Sequence, residues 1–151
     1  MLTYTTYSEA GGVGKTTLAA NLAVAHADNG HEVLVNDMDQ QDGSLSHLLG
    51  VDEDRHDSEA DTIVHHMIDR PRGDFADLIK TSEGVDIIPS HDALESLGEW
   101  LDKAAEFEEA AAGPDYEYPR FEQLRRVLAY NDVPNQYDVI IVDPPATAGP
   151  H

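Results

Sequence analysis

Gly11, Gly12 and Gly14 stand directly before Lys15, Thr16 and Thr17, an order that suits a grip on phosphate. Glycine takes backbone angles barred to residues with a Cβ, so successive N–H groups can turn toward one anion. Val13 sits within the same run. A helix beginning near Lys15 adds unpaired amides and its positive dipole end to that site. Lys15 then reaches the β and γ phosphates, and the Thr16 hydroxyl holds a magnesium ion. A nucleoside triphosphate is the ligand this chemistry fits. Glu9 occupies the position where the general pattern has its first glycine, so the run is a variant of that loop.

Such a loop needs a strand before it and a helix after it. Leu2-Thr3-Tyr4-Thr5-Thr6-Tyr7 is rich in β-branched and aromatic residues, which predicts the strand. From Thr17 to Ala25 apolar residues recur at helical spacing, with Leu18, Leu22 and Ala25 on one face, and Asn29-Gly30 stops the helix. Two further apolar runs end in acids. His31 to Asp37 reads as a second strand, followed by Asp39, and Tyr137 to Asp143 reads as another, followed by Pro144-Pro145. Ligands of open parallel sheets gather at the carboxyl ends of the strands, which assigns Asp37, Asp39 and Asp143 to the phosphate site. An aspartate closing a strand also serves as a turn or cap residue. Three of them beside a phosphate loop favour the functional role. Strands alternating with helices predict an α/β fold with a doubly wound, mainly parallel sheet flanked by helices.

These motifs resemble the ParA/MinD/Soj family of deviant P-loop ATPases. Gly11-Gly12-Val13-Gly14-Lys15-Thr16-Thr17, Asp37-Met38-Asp39-Gln40-Gln41 and Tyr137 to Pro145 match its three signatures in order. Gly84-Val85-Asp86-Ile87-Ile88-Pro89-Ser90 is similar to its third-strand segment. The resemblance implies a P-loop NTPase fold that binds ATP and Mg2+ and hydrolyses ATP. It implies cofactor contacts from residues 11 to 17, metal contacts from Thr16, Asp37 and Asp143, and catalytic roles for Lys15 and for Asp39, which positions the attacking water. It further implies a nucleotide-dependent homodimer, an activating partner protein, non-specific DNA binding through a C-terminal part, and work in DNA segregation or intracellular positioning.

The departures bear on rate. Ala10 stands where the family has the lysine that crosses the dimer to the partner's nucleotide, and the other lysines are Lys80 and Lys103. A cation supplied in trans is worth ~10³-fold or more in phosphoryl transfer, so slow hydrolysis is expected. A nucleotide-gated binding module without significant catalysis, or a MinD-like regulator of the division site, are the alternatives. Gln40 and Ala146 replace prolines, which changes loop stiffness more than chemistry.

The chain has 151 residues, enough for one domain with a real core. Members of the family run well past this length, so residues 1–151 are expected to form the N-terminal portion of one P-loop ATPase domain, without its C-terminal strands and helices. Acidic residues number 30 against 9 basic, for a formal net charge of -21. The acids are spread through an ordinary apolar pattern, which suits a protein adapted to high salt, a halophile's, better than a disordered acidic tail. No basic stripe is present to neutralise nucleic-acid phosphates. With no cysteine, thiolate catalysis, disulfides and iron–sulfur clusters are excluded. Met1 to Tyr4 does not read as a secretion signal and no apolar run approaches ~18 residues, so a cytoplasmic protein without membrane insertion is expected.

Between the motifs, Val51 to Ser58 reads as an exposed loop, and Ser58-Glu59-Ala60-Asp61 as a helix start leading into Ile63, Val64, Met67 and Ile68. Pro71-Arg72-Gly73 breaks that helix, and Phe75, Leu78 and Ile79 suit a short second one. His91 to Ala112 predicts a long acidic helix with Leu94, Leu97, Leu101 and Ala105 inward, ended by Gly113-Pro114. Tyr118 to Tyr130 predicts another, packing through Phe121, Leu124, Val127 and Leu128. Trp100 reads as core or interface, Arg125-Arg126 as a solvated helix face, and the eight histidines lack metal-ligand spacing on any helix.

Overall fold

The computed structural model describes residues 2–5, 13–39, 45–119 and 122–143. Five strands form one sheet in the order β1-β5-β2-β4-β3, comprising β1 (Leu2–Thr5), β2 (Val33–Asp37), β3 (Lys80–Ser82), β4 (Val85–Ile88) and β5 (Val139–Asp143). β5 runs parallel to both β1 and β2, and β2 runs parallel to β4. The expected doubly wound, mainly parallel architecture is therefore present. β3, at one edge, is antiparallel to β4 and was not expected. It holds three residues, too few for a period-two pattern, and its turn is Glu83-Gly84, with φ of 54° and 76°.

Alternation along the central strands sends side chains into two cores. On one face Val33, Val35, Val85, Ile87, Val139 and Ile141 pack against α1 (Val13–Asp28). On the other, Leu34, Ile88 and Ile140 meet a larger layer. α3 (Ile63–Met67), α5 (Gln123–Tyr130), α6 (Val133–Gln136) and the 3-10 helix Phe75–Leu78 supply that layer. Burial on both faces explains why the strands read as nearly continuous apolar runs.

Several expected faces and boundaries shift. Leu18 is 63% exposed and Ala25 is exposed, while Ala19, Ala20 and Ala23 are the buried face of α1. Small side chains let a helix lie close to a sheet, so the alanines take the contact and the leucine is displaced outward. The helix expected from Ser58 instead starts after Thr62, whose extended backbone and accepting side chain make it the N-cap. The 51–58 segment is only partly exposed, because Val51 and Arg55 are buried. Asp92 N–H donates to the Arg55 carbonyl, and His91 Nε2 donates to the Asp57 carbonyl while its Nδ1 accepts from Ala93 N–H.

The long acidic helix begins as the 3-10 turn Asp92–Ser96 and continues as α4 (Leu97–Ala112), closed by Gly113 at φ 105°. Leu94, Leu101 and Ala105 are buried and Leu97 is half-buried, as the spacing predicts. α5 starts five residues later than expected, at Gln123, and buries Val127 and Leu128; Phe121 lies outside the described residues.

Candidate nucleotide site

The sheet brings three strand ends together. β1, β5 and β2 are consecutive neighbours, all parallel, and α1 follows β1 in the chain. Asp37 and Asp143 are register partners at the ends of β2 and β5, and both are fully buried. Met38 N–H donates to the Asp143 carbonyl at 2.8 Å, which carries the pairing one residue past the strand. Adjacent strands lie ~4.8 Å apart, so two carboxyl-bearing residues end side by side. Asp39, 4% exposed, follows on the same chain end.

Among the described residues the Asp37 carboxylate accepts three hydrogen bonds. Oδ1 accepts from Asp39 N–H at 3.0 Å, and Oδ2 accepts from Ser46 N–H at 2.8 Å and Ser46 O–H at 2.5 Å. Ser46 lies in α2 (Leu45–Leu48) and is fully buried. Its Oγ accepts from Ser90 N–H at 2.8 Å, and Ser90 O–H donates to the Asp39 carbonyl. Sequence spacing singles out neither serine, because they lie 9 and 44 residues from the partners they meet.

The backbone of Val13, Gly14 and Lys15 forms the opening of α1, which is where the phosphate-loop reading needs a helix to begin. Thr16 is half-buried and Thr17 exposed in its next positions. Gly11, Gly12, Gln40 and Pro144-Pro145, together with Ala10, lie outside the described residues, as do the side chains of Val13 to Lys15. A hydroxyl at Thr16 and carboxylates at Asp37 and Asp143 are all oxygen donors, the set that suits magnesium. Among the described residues no group of three or more His, Asp or Glu could hold a metal. Two carboxylates and a hydroxyl suit an ion that keeps several waters, as magnesium does.

The other residues weighed in the sequence are structural. Trp100 is half-buried with its ring centroid 5.8 Å from that of His65, in the larger core layer. His65 is buried, and desolvation, followed by the charge of Arg72, holds its imidazole below the usual value. His66 Nε2 pairs with Asp61 Oδ2 at 2.6 Å. Arg125 and Arg126 are both exposed, as a solvated helix face requires, and Arg126 also donates to Gln123 Oε1 at 2.6 Å and to the His66 carbonyl at 3.3 Å, tying α5 to α3. Tyr137 O–H donates to Asp86 Oδ2 at 2.7 Å, and burial with that bond pushes its phenol well above the ordinary value. Among the described residues no helix is long and apolar enough to cross a membrane.

Comparison with known proteins extends these observations. A family profile described as an AAA domain, AAA_31, matches residues 3–149. An uncharacterized protein of Methanocaldococcus jannaschii, MJECL24, is 29% identical over 137 residues, covering 90% of this chain and 47% of that protein. Among solved structures, cobyrinic acid a,c-diamide synthase from Mycobacterium smegmatis, with bound ADP and magnesium, superposes with a TM-score of 0.76 at 24% identity, over 97% of this chain and 52% of that one. A plasmid partition protein from Borrelia burgdorferi gives a TM-score of 0.69 at 23% identity, over 97% of this chain and 57% of that one. At these identities the superpositions establish the fold. The chain spans about half the length of these relatives.

Proposed function

Because the chain belongs to the AAA_31 family of AAA domains, of ParA/MinD-like kind, we propose that it is an ATP-binding, slowly hydrolysing switch that acts in DNA segregation or intracellular positioning. The observation that carries the reading is the register pairing of Asp37 with Asp143, two buried acids beside the strand that leads into α1. The amides of residues 11–14 and the Lys15 ammonium hold the phosphates, and Thr17 closes the loop. Thr16 ligates magnesium, and Asp37 and Asp143 orient its waters. Bound magnesium supplies charge neutralisation at the phosphates. Asp39 positions the attacking water. The ADP and magnesium of the synthase and the partitioning role in the Borrelia protein's name support this assignment. The active form is a cytoplasmic, nucleotide-dependent homodimer that meets an activating partner protein, and non-specific DNA binding belongs to a C-terminal part.

Lys15→Ala tests the reading. Isothermal calorimetry in molar salt should show ATP affinity reduced at least a hundredfold, and unchanged binding overturns the site. Ala10 favours a second reading, a nucleotide-gated module without significant catalysis. Phosphate release with magnesium and ATP, measured with and without an activating partner, separates the two. A MinD-like role at the division site uses the same nucleotide chemistry and differs in cargo.

A further inference from the structure

β2 and β4 are joined beyond their hydrogen-bonded register by two serines. Ser90 N–H donates to Ser46 Oγ at 2.8 Å, and Ser46 O–H donates onward to Asp37 Oδ2 at 2.5 Å. The direction is fixed at both ends, because an amide only donates and a carboxylate only accepts. Ser46 N–H reaches the same Oδ2 at 2.8 Å, so one residue grips that oxygen twice. Ser90 uses its own hydroxyl on the carbonyl of Asp39. All four residues are at most 4% exposed.

A carboxyl group turns easily about its last torsion, which is broad and two-fold. Donors from α2 and from Asp39 fix the plane of the Asp37 carboxylate before any ligand arrives. The Ser90 hydroxyl does the same for the Asp39 backbone, on which the direction of that side chain depends. We propose that Ser46 and Ser90 are positioning residues that preset Asp37 and Asp39 for a magnesium–triphosphate ligand, an inference that rests on the nucleotide-binding reading above. Neither serine touches the ligand. Ser90 also neighbours His91, whose ring is held to the Asp57 carbonyl. The aim of Asp37 is thereby tied to the end of β4 and to the 51–58 segment packed there.

The test compares ATP affinity with magnesium and with EDTA, by calorimetry, in the unsubstituted chain and in Ser46→Ala, Ser90→Ala, Ser46→Cys and Ser90→Thr. Groups that orient metal ligands from behind are worth about 10–100-fold in metal affinity. Ser46→Ala should lose about tenfold or more of the gain that magnesium confers, with affinity in EDTA kept. Ser90→Ala should lose less of that gain and lower kcat with KM unchanged. Ser90→Thr, which keeps the hydroxyl, should restore both. Ser46→Cys retains volume with a weaker donor and should show the loss in milder form, which keeps the test open if the alanine variant fails to fold. Emission from Trp100, the single tryptophan, reports folding in each case. Alanine variants that lower the melting temperature yet keep the full magnesium gain and kcat overturn the proposal and leave the serines a purely structural role. An unsubstituted chain that binds no ATP in either condition overturns the nucleotide reading itself, and the positioning role with it.

Discussion

Asn36 is the penultimate residue of β2, opposite Ile88 and Val142 on the flanking strands, fully buried, and among the described residues neither its amide nitrogen nor its amide oxygen has a hydrogen-bond partner. An unsatisfied buried polar group costs about 1–3 kcal/mol, and removing donor and acceptor together carries no such penalty. Asn36→Val should therefore stabilise the chain by about 1–3 kcal/mol, raising the midpoint of thermal unfolding by about 2–4 °C for each kcal/mol. A lower midpoint would show that the amide is held by a bond formed only in solution. The same residue illustrates what the sequence displays and what it conceals. The places of Asp37 and Asp143 at strand ends are legible because each closes an apolar run, with Asp39 two residues beyond the first, and strand ends are where parallel sheets bind ligands. Ser46 and Ser90 are not, since a buried serine leaves no periodic mark and its partners lie far off in the chain. The non-polar surroundings of Asn36 are likewise set by two other strands.

At the level of elements, the edge hairpin is the least well-specified piece. Glu83 adopts φ 54° in an exposed two-residue turn, and Gly84 follows at φ 76°. Turns with positive φ at both positions favour Asn-Gly, because a side chain with an ordinary Cβ strains there by about 1–2 kcal/mol. Replacing Glu83 by Asn should recover about 0.5–1 kcal/mol of that strain, read as a higher denaturant midpoint at constant slope. No gain would mean that Glu83 has favourable contacts that offset its backbone. The hairpin is anchored all the same. Thr81 O–H donates to Asp86 Oδ1 at 2.8 Å, and Asp86 Oδ2 accepts from Tyr137, so β3 is tied through β4 to the start of β5. Helix α4 was legible because Leu97, Leu101 and Ala105 recur every four residues on one face, whereas α6 and β3 span 4 and 3 residues and hold too little pattern to read.

Over the whole molecule the formal charge of -21 dominates. Self-repulsion among so many carboxylates strains the compact state and is relieved as the screening length falls from about 10 Å at 0.1 M salt to about 3 Å at 1 M. The melting temperature should climb steeply with potassium chloride across that interval and flatten above it. A value independent of salt would remove self-repulsion as a major term and, with it, the halophilic reading of the composition. The layered α/β architecture was legible at this scale because burial on both sheet faces writes itself into apolar strands, and that signal survives any amount of acid on the surface.

The alanines of α1 act as a shim. With Ala19, Ala20 and Ala23 seated on the sheet, the thickness of three methyl groups sets the standoff between the helix axis and the strands that end in Asp37 and Asp143. Lengthening any one of these side chains would tip the helix like a lever about that contact and swing Lys15 and Thr16, at its opening turn, away from the acids. The alignment of the helix opening with those strand ends is thus gauged by the smallest side chains in the core.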